Sequence, residues 1–148
     1  MAEINSEPHT RLRIALVEDD ETLAMLLTYN LHAADLAVDW YADGREAVAA
    51  ISVNPPSLVV LDWMLPQLSG IEILRLIRRH PATCDLPVLM LTARSEPSDR
   101  ARAMALGVDV FLAKPFSVSE LISSIGPLLL RRRQLDPGRI AANKGSST

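Results

Sequence analysis

The chain has 148 residues, 49% of them apolar, with 18 acidic and 15 basic side chains and a formal net charge of −3. That length can bury one core unaided, the apolar content excludes a disordered chain, and the mild acidity excludes a general nucleic-acid or membrane-surface binder. A single cysteine, Cys84, excludes a disulfide framework or a cysteine metal cage, and neither a membrane-spanning run nor a secretory signal is present, so the expectation is a soluble, cytoplasmic protein that contacts no membrane.

Residues 1–10 are polar and contain Pro8, and read as a flexible N-terminal lead-in. Short apolar runs then follow at 12–17, 36–41, 58–61, 87–91 and 109–113. The third and fourth are nearly continuous in Val, Leu and Met, which suits strands covered on both faces by helices. Between the runs lie helical spacings. Leu23, Leu26, Leu27 and Leu31 share one helix face, as do Leu121, Ile122, Ile125, Leu128 and Leu129. Asp43…Glu46, Ser69…Glu72 and Ser117…Glu120 have capping-box spacing, in which two orphan backbone donors are satisfied reciprocally. Residues 97–106 form a weaker, Ala-rich helix ended by Gly107. Five strands alternating with five helices predict an α/β fold with a parallel sheet covered on both faces.

Ligands of open parallel sheets bind beyond the carboxyl ends of the strands. The first expected strand ends in Glu18-Asp19-Asp20, the third in Asp62, the fourth in Thr92 and the fifth in Lys114, followed by Pro115. Crowded carboxylates raise one another's pKa unless a cation joins them, and carboxylate and carbonyl oxygens suit Mg²⁺. A lysine and a hydroxyl are what the oxygens of a phosphoryl group require. An aspartate so placed can act as a nucleophile and become an aspartyl phosphate. Asp20 reads as the cap of the first helix, and His9, His32 and His80 share no metal spacing. Trp40, Trp63 and the methionines read as packing, and Arg131, Arg132 and Arg133 as basic residues meeting a helix dipole.

The segments LVEDDE, LDWMLP, MLTAR and AKPF, in that order and spacing, resemble the receiver domain of bacterial two-component response regulators, most closely the PhoB/OmpR branch. The resemblance spans residues 11–132 and implies a flavodoxin-like, CheY-like doubly wound sheet of strand order 2-1-3-4-5. It implies that Asp62 accepts a phosphoryl group from a sensor histidine kinase or phosphotransfer protein, with Mg²⁺ as cofactor. Asp19, Glu18, Asp62 and the backbone carbonyl of Met64 would serve the ion. Thr92 and Lys114 would take the phosphoryl oxygens, and the Lys114–Pro115 bond would be cis. Ala93 would keep the entrance open, Phe111 would turn inward with Thr92, and Met64 and Arg94 would tune the lifetime of the phosphorylated form.

Two departures from that family stand out. Ala105, Val110 and Ser124 replace charged residues of the usual dimer face, while Asp99 and Arg100 match it. The fourth-helix, fifth-strand, fifth-helix face is therefore more apolar than usual, through Ala105, Val108, Val110, Ile122 and Ile125, which either form an apolar surface or face the core, and any homodimer formed on phosphorylation is expected to use a non-standard interface. Gly126 and Pro127 are expected to interrupt the fifth helix. Residues 133–148 read as a linker or tail without an effector domain, so this chain would not itself bind nucleic acid. The main expectation is a phosphorylation switch controlling transcription through an output domain. The alternative is a stand-alone phosphorelay regulator.

Two further classes fit less well. A haloacid-dehalogenase-like phosphatase needs an acid two residues after its nucleophile, where Met64 stands. A flavodoxin-like binding module needs a hydroxyl- or glycine-rich phosphate loop, where EDDE stands.

Overall fold

The structure, a computed structural model, describes residues 11–130. The expected lead-in 1–10, the tail 133–148 and Arg131–Arg133 lie outside the described residues. In chain order the elements are β1 (Arg13–Val17), α1 (Glu21–Ala33), β2 (Ala37–Tyr41), α2 (Gly44–Val53), β3 (Leu58–Asp62), α3 (Gly70–Arg79), β4 (Val88–Thr92), α4 (Pro97–Ala105) and β5 (Val110–Ala113), followed by α5 over 118–130. All strand pairs are parallel, and the sheet order is β2-β1-β3-β4-β5. This is the expected 2-1-3-4-5 order, with strand ends within two residues of those read from the sequence.

Alternate side chains of the strands serve two cores. Val17, Val59, Leu61 and Met90 face α2, α3 and α4 together with Ile71, Leu74 and Ala103. Leu16, Val60, Leu89 and Leu91 face α1 and α5 with Leu27, Leu31, Leu121 and Ile125. Every residue of β3 and β4 is buried. A strand covered on both faces cannot slip register without burying a polar group, so the last residues of β3 and β4 are held rigidly.

The helix starts follow the capping residues. Asp20 accepts from the Leu23 amide at 3.2 Å, as its reading as a cap requires. Ser69 and Glu72 close a reciprocal box, and so do Ser117 and Glu120, at 2.8 and 3.0 Å. Asp43 caps α2 differently, accepting from the Arg45 amide at 2.8 Å, one position short of the box. Gly107 ends the α4 segment with φ +96°, a backbone conformation glycine adopts without penalty.

On the far face the structure corrects one expectation and decides an open one. α5 is continuous through Gly126 and Pro127. Leu121, Ile125, Leu128 and Leu129 on the buried side hold the helix to the sheet, and this packing outweighs the lost backbone donor. The residues over α4, β5 and α5 mostly take the core rather than the surface reading. Val108 and Ile125 belong to the core, Val110 and Ile122 are half-buried, and Ala105 alone of the five is exposed.

Candidate functional site

The acidic end of β1, the end of β3 and the residue after β5 meet at one point. Carboxylate oxygens of Glu18, Asp19 and Asp62 all lie within 4.8 Å of one another. Glu18 and Asp62 are buried, whereas Asp19 is exposed. The Lys114 ammonium donates to Asp62 Oδ2 at 3.0 Å and lies 3.5 Å from Glu18 Oε1. The Met64 amide donates to Asp62 Oδ1 at 3.0 Å, so both oxygens of Asp62 are engaged. Glu18 Oε2 accepts from the Asp20 amide at 3.1 Å.

Glu18 Oε1 is different. It is buried and has no hydrogen-bond partner, and its nearest cation, the Lys114 ammonium, stands 3.5 Å away. Burial, followed by the Asp62 charge, pushes the Glu18 carboxyl up from 4.5 to about 7, and Lys114 offsets only part of this. Burial pulls the Lys114 ammonium down, but the Asp62 hydrogen bond, the Asp62 charge and Glu18 outweigh it, leaving its pKa raised. The site is a buried acidic cluster short of positive charge. An orphaned oxygen beside two more carboxylates, all hard donors, fits a divalent cation.

The fold fixes these groups locally. α3 begins directly beneath Asp62 and Trp63, where a Cβ on Gly70 would collide with the Asp62 carbonyl and lie 2.7 Å from Trp63 Cα. The Gly70 amide donates to the Trp63 carbonyl at 2.8 Å, closing the 63–70 loop. Within that loop Gln67 has φ 70°, and Leu68 donates to the Pro66 carbonyl at 2.7 Å, a tight γ-turn that brings the chain back under β3. Lys114 is placed by its amide, which donates to the Thr92 carbonyl at 2.7 Å, and by the cis Lys114–Pro115 bond.

The remaining positions singled out in the sequence fall around this centre. Thr92 ends β4 and is fully buried, and its Oγ1 accepts from the Arg94 amide at 2.8 Å. Ala93 is exposed. Asp19, Met64 and Arg94 line a surface groove of about 410 Å³, with Trp63, Leu65, Pro66 and Ser69. Phe111 points inward, 7% exposed, edge-on to Trp63 with ring centroids 6.3 Å apart.

Three contributors escaped the sequence reading. The Trp40 indole donates to the Glu18 carbonyl at 2.7 Å, so the second strand does supply a group to the site. The Met64 amide supports Asp62, beyond any use of its carbonyl. Trp63 is buried packing as expected, but it also carries the Arg94 guanidinium 4.8 Å above its ring. Backbone amides and cation–aromatic contacts leave no spacing signature in a sequence. A tryptophan directly after Asp62 was the one available cue.

Residues 14–126 match the family described as the response regulator receiver domain. The chain is 46% identical over 121 residues to the phosphate regulon transcriptional regulatory protein PhoB of Rhizobium meliloti, covering 82% of this chain and 53% of that protein. It is 40% identical over 131 residues to the response regulator MprA of Mycolicibacterium vanbaalenii, covering 86% of this chain and 54% of that one. The chain thus spans about half the length of these curated relatives. Among solved structures, it superposes on a putative response regulator from Chloroflexus aurantiacus with TM-score 0.77 and 34% identity, covering 82% of this chain and 99% of that one. It also superposes on the receiver domain of the sensor histidine kinase PA1611 from Pseudomonas aeruginosa, which has a magnesium ion coordinated in its active-site cleft, with TM-score 0.75 and 28% identity, covering 81% and 98%. This chain belongs to the response regulator receiver family.

Proposed function

We propose that residues 11–132 form a phosphoacceptor unit in which Asp62 takes a phosphoryl group from the phosphohistidine of a sensor kinase or phosphotransfer protein. The observation that carries this reading is the cluster itself, in which a buried carboxylate is held by Lys114 beside an orphaned, electron-rich oxygen of Glu18. An Asp62 oxygen attacks phosphorus, the bond from phosphorus to the donor nitrogen breaks, and the electron pair stays on the imidazole. Glu18, Asp19, Asp62 and the Met64 carbonyl would hold Mg²⁺, which when bound offsets the negative charge that donor and acceptor bring together. Lys114 stays on Asp62 and meets a second phosphoryl oxygen as its charge develops. The Thr92 hydroxyl, already at the end of β4, donates to a third. Ala93 presents no side chain long enough to block the approach, and Met64 and Arg94 flank the groove by which water would reach the product.

Catalysis is limited to the chain's own phosphorylation and slow dephosphorylation. The PhoB relative is a transcriptional regulatory protein, and both named relatives are about twice as long as the matched region, which favours an output through an attached domain. Intact mass after incubation with Mg²⁺ and acetyl phosphate tests the reading. One phosphoryl adduct should form on the native chain, require Mg²⁺, and be absent from Asp62→Ala. An adduct that persists on Asp62→Ala, or forms equally in EDTA, would remove the proposal.

A further inference from the structure

α4 is weakly attached to the fold. Ala103 is its single buried residue, and its N-cap, Glu96, makes no side-chain cap bond. A closed circuit of side chains supplies what the helix lacks. Asp99 in its first turn pairs with Arg94 at 3.0 Å. The Arg94 guanidinium lies 4.8 Å over the Trp63 ring, and Trp63 meets Phe111 edge-on. The Arg100 guanidinium, next along the helix from Asp99, lies 5.5 Å over the Phe111 ring. Two adjacent residues of α4 are therefore pinned, through two cation–aromatic contacts, to an aromatic pair that begins one residue after Asp62.

We propose that this circuit is a clamp that docks α4 while Asp62 is unmodified, and that a phosphoryl group on Asp62 releases it by drawing Arg94 away from Trp63. The release step rests on the phosphoacceptor reading above. Arg94 lines the same groove as Asp19 and Met64, so a dianion there competes directly for its guanidinium, whose fork matches phosphoryl oxygens. The Arg94 amide also donates to Thr92 Oγ1, so a turn of that hydroxyl is passed straight to Arg94. Trp63 acts here as a positioning residue: it touches no reacting atom but presents its face to Arg94 and its edge to Phe111.

Amide hydrogen exchange along α4, with β3 and β4 as internal references, tests the clamp on the unmodified protein. Arg94→Gln and Arg100→Gln, both surface changes, should each speed α4 exchange by about 3-fold, the scale of one exposed cation–aromatic contact. Trp63→Leu should speed it further, and Trp63→Phe should restore most of the protection. Unchanged α4 exchange in both arginine variants overturns the clamp, whether or not Trp63→Leu folds. The release step is read on chain shown by intact mass to carry the phosphoryl group. There α4 should exchange as fast as in Arg94→Gln, and phosphorylated Arg94→Gln should show no further gain. A clear adduct with α4 still protected overturns the release. No adduct on the native chain refutes the phosphoacceptor reading and the release with it, while the exchange of the unmodified variants still decides the clamp.

Discussion

Two cations sit at opposite ends of the sheet, and they are satisfied to different degrees. At the amino end Arg78 makes five hydrogen bonds: two to the Gly107 carbonyl at 3.1 and 2.7 Å, one each to the Cys84 and Leu86 carbonyls at 3.2 and 2.7 Å, and one to Asp109 Oδ2 at 3.1 Å. Asp109 also accepts from the Val88 amide at 2.8 Å. All the donors of the guanidinium are used, and the cluster ties α3 to the starts of β4 and β5. Burial lowers the Arg78 pKa, with Asp109 opposing. At the carboxyl end Lys114 faces two buried acids and an exposed one, and an oxygen of Glu18 is left without a bond. A polar cluster with every group paired reads as structure. One left deficient inside an otherwise well-packed fold reads as a place for something else to bind.

The contrast is broken most severely by Asp62→Ala, which should abolish the phosphoryl adduct, whereas Arg78→Ala should leave the adduct at full stoichiometry under conditions where the protein is folded. Intact mass reads both. Arg78→Ala should instead lower unfolding stability by about 3 kcal/mol, because it removes five hydrogen bonds and leaves the Gly107, Cys84 and Leu86 carbonyls without their guanidinium donor. The denaturation midpoint reports this, and a loss within error would mean that water replaces the guanidinium.

A smaller effect, of opposite sign, is expected at the deficient end. Glu18→Gln should stabilise the metal-free protein at pH 8 by about 1 kcal/mol, since it removes a buried charge that the folded state disfavours. It should also reduce the stabilisation that added Mg²⁺ provides. If Glu18→Gln destabilises the metal-free chain, Lys114 satisfies the acids better than the geometry indicates.

The smallest effect is a slope with pH. Glu18 has a folded pKa of about 7 against an ordinary 4.5, so the folded state holds its proton more tightly than the unfolded state. This contribution is neutral below 4.5, becomes a growing loss of stability as pH rises from 4.5 to about 7, and levels off above that, where both states are ionised. Without Mg²⁺, the chain should lose stability across that window by about half a kcal/mol per pH unit. Mg²⁺ should flatten the slope, as should Glu18→Gln. Thermal melts at fixed ionic strength with and without EDTA would show it, and parallel slopes in all three samples would contradict it.

Much of the site was legible because its residues are tied to strand ends. Asp62, Thr92 and Lys114 each follow an apolar run, and in a parallel sheet those ends must gather on one edge. The aromatic clamp was not legible, because Trp63, Arg94, Asp99 and Phe111 come from two loops, a helix and a strand with no common period. The far face stays open between surface and core in the sequence for the same reason: nothing in the order of residues says whether Val108 or Ile125 meets the sheet.

The order of residues alone determined the alternation of strands and helices, the sheet that follows from it and the acids at its carboxyl edge, since these depend on local periodicity and chain connectivity. Only the tertiary structure decided which charges are satisfied. Pairing at Arg78, deficiency at Glu18 and the docking of α4 depend on ångström-scale approaches between segments distant in sequence, and burial sets how strongly each of them matters.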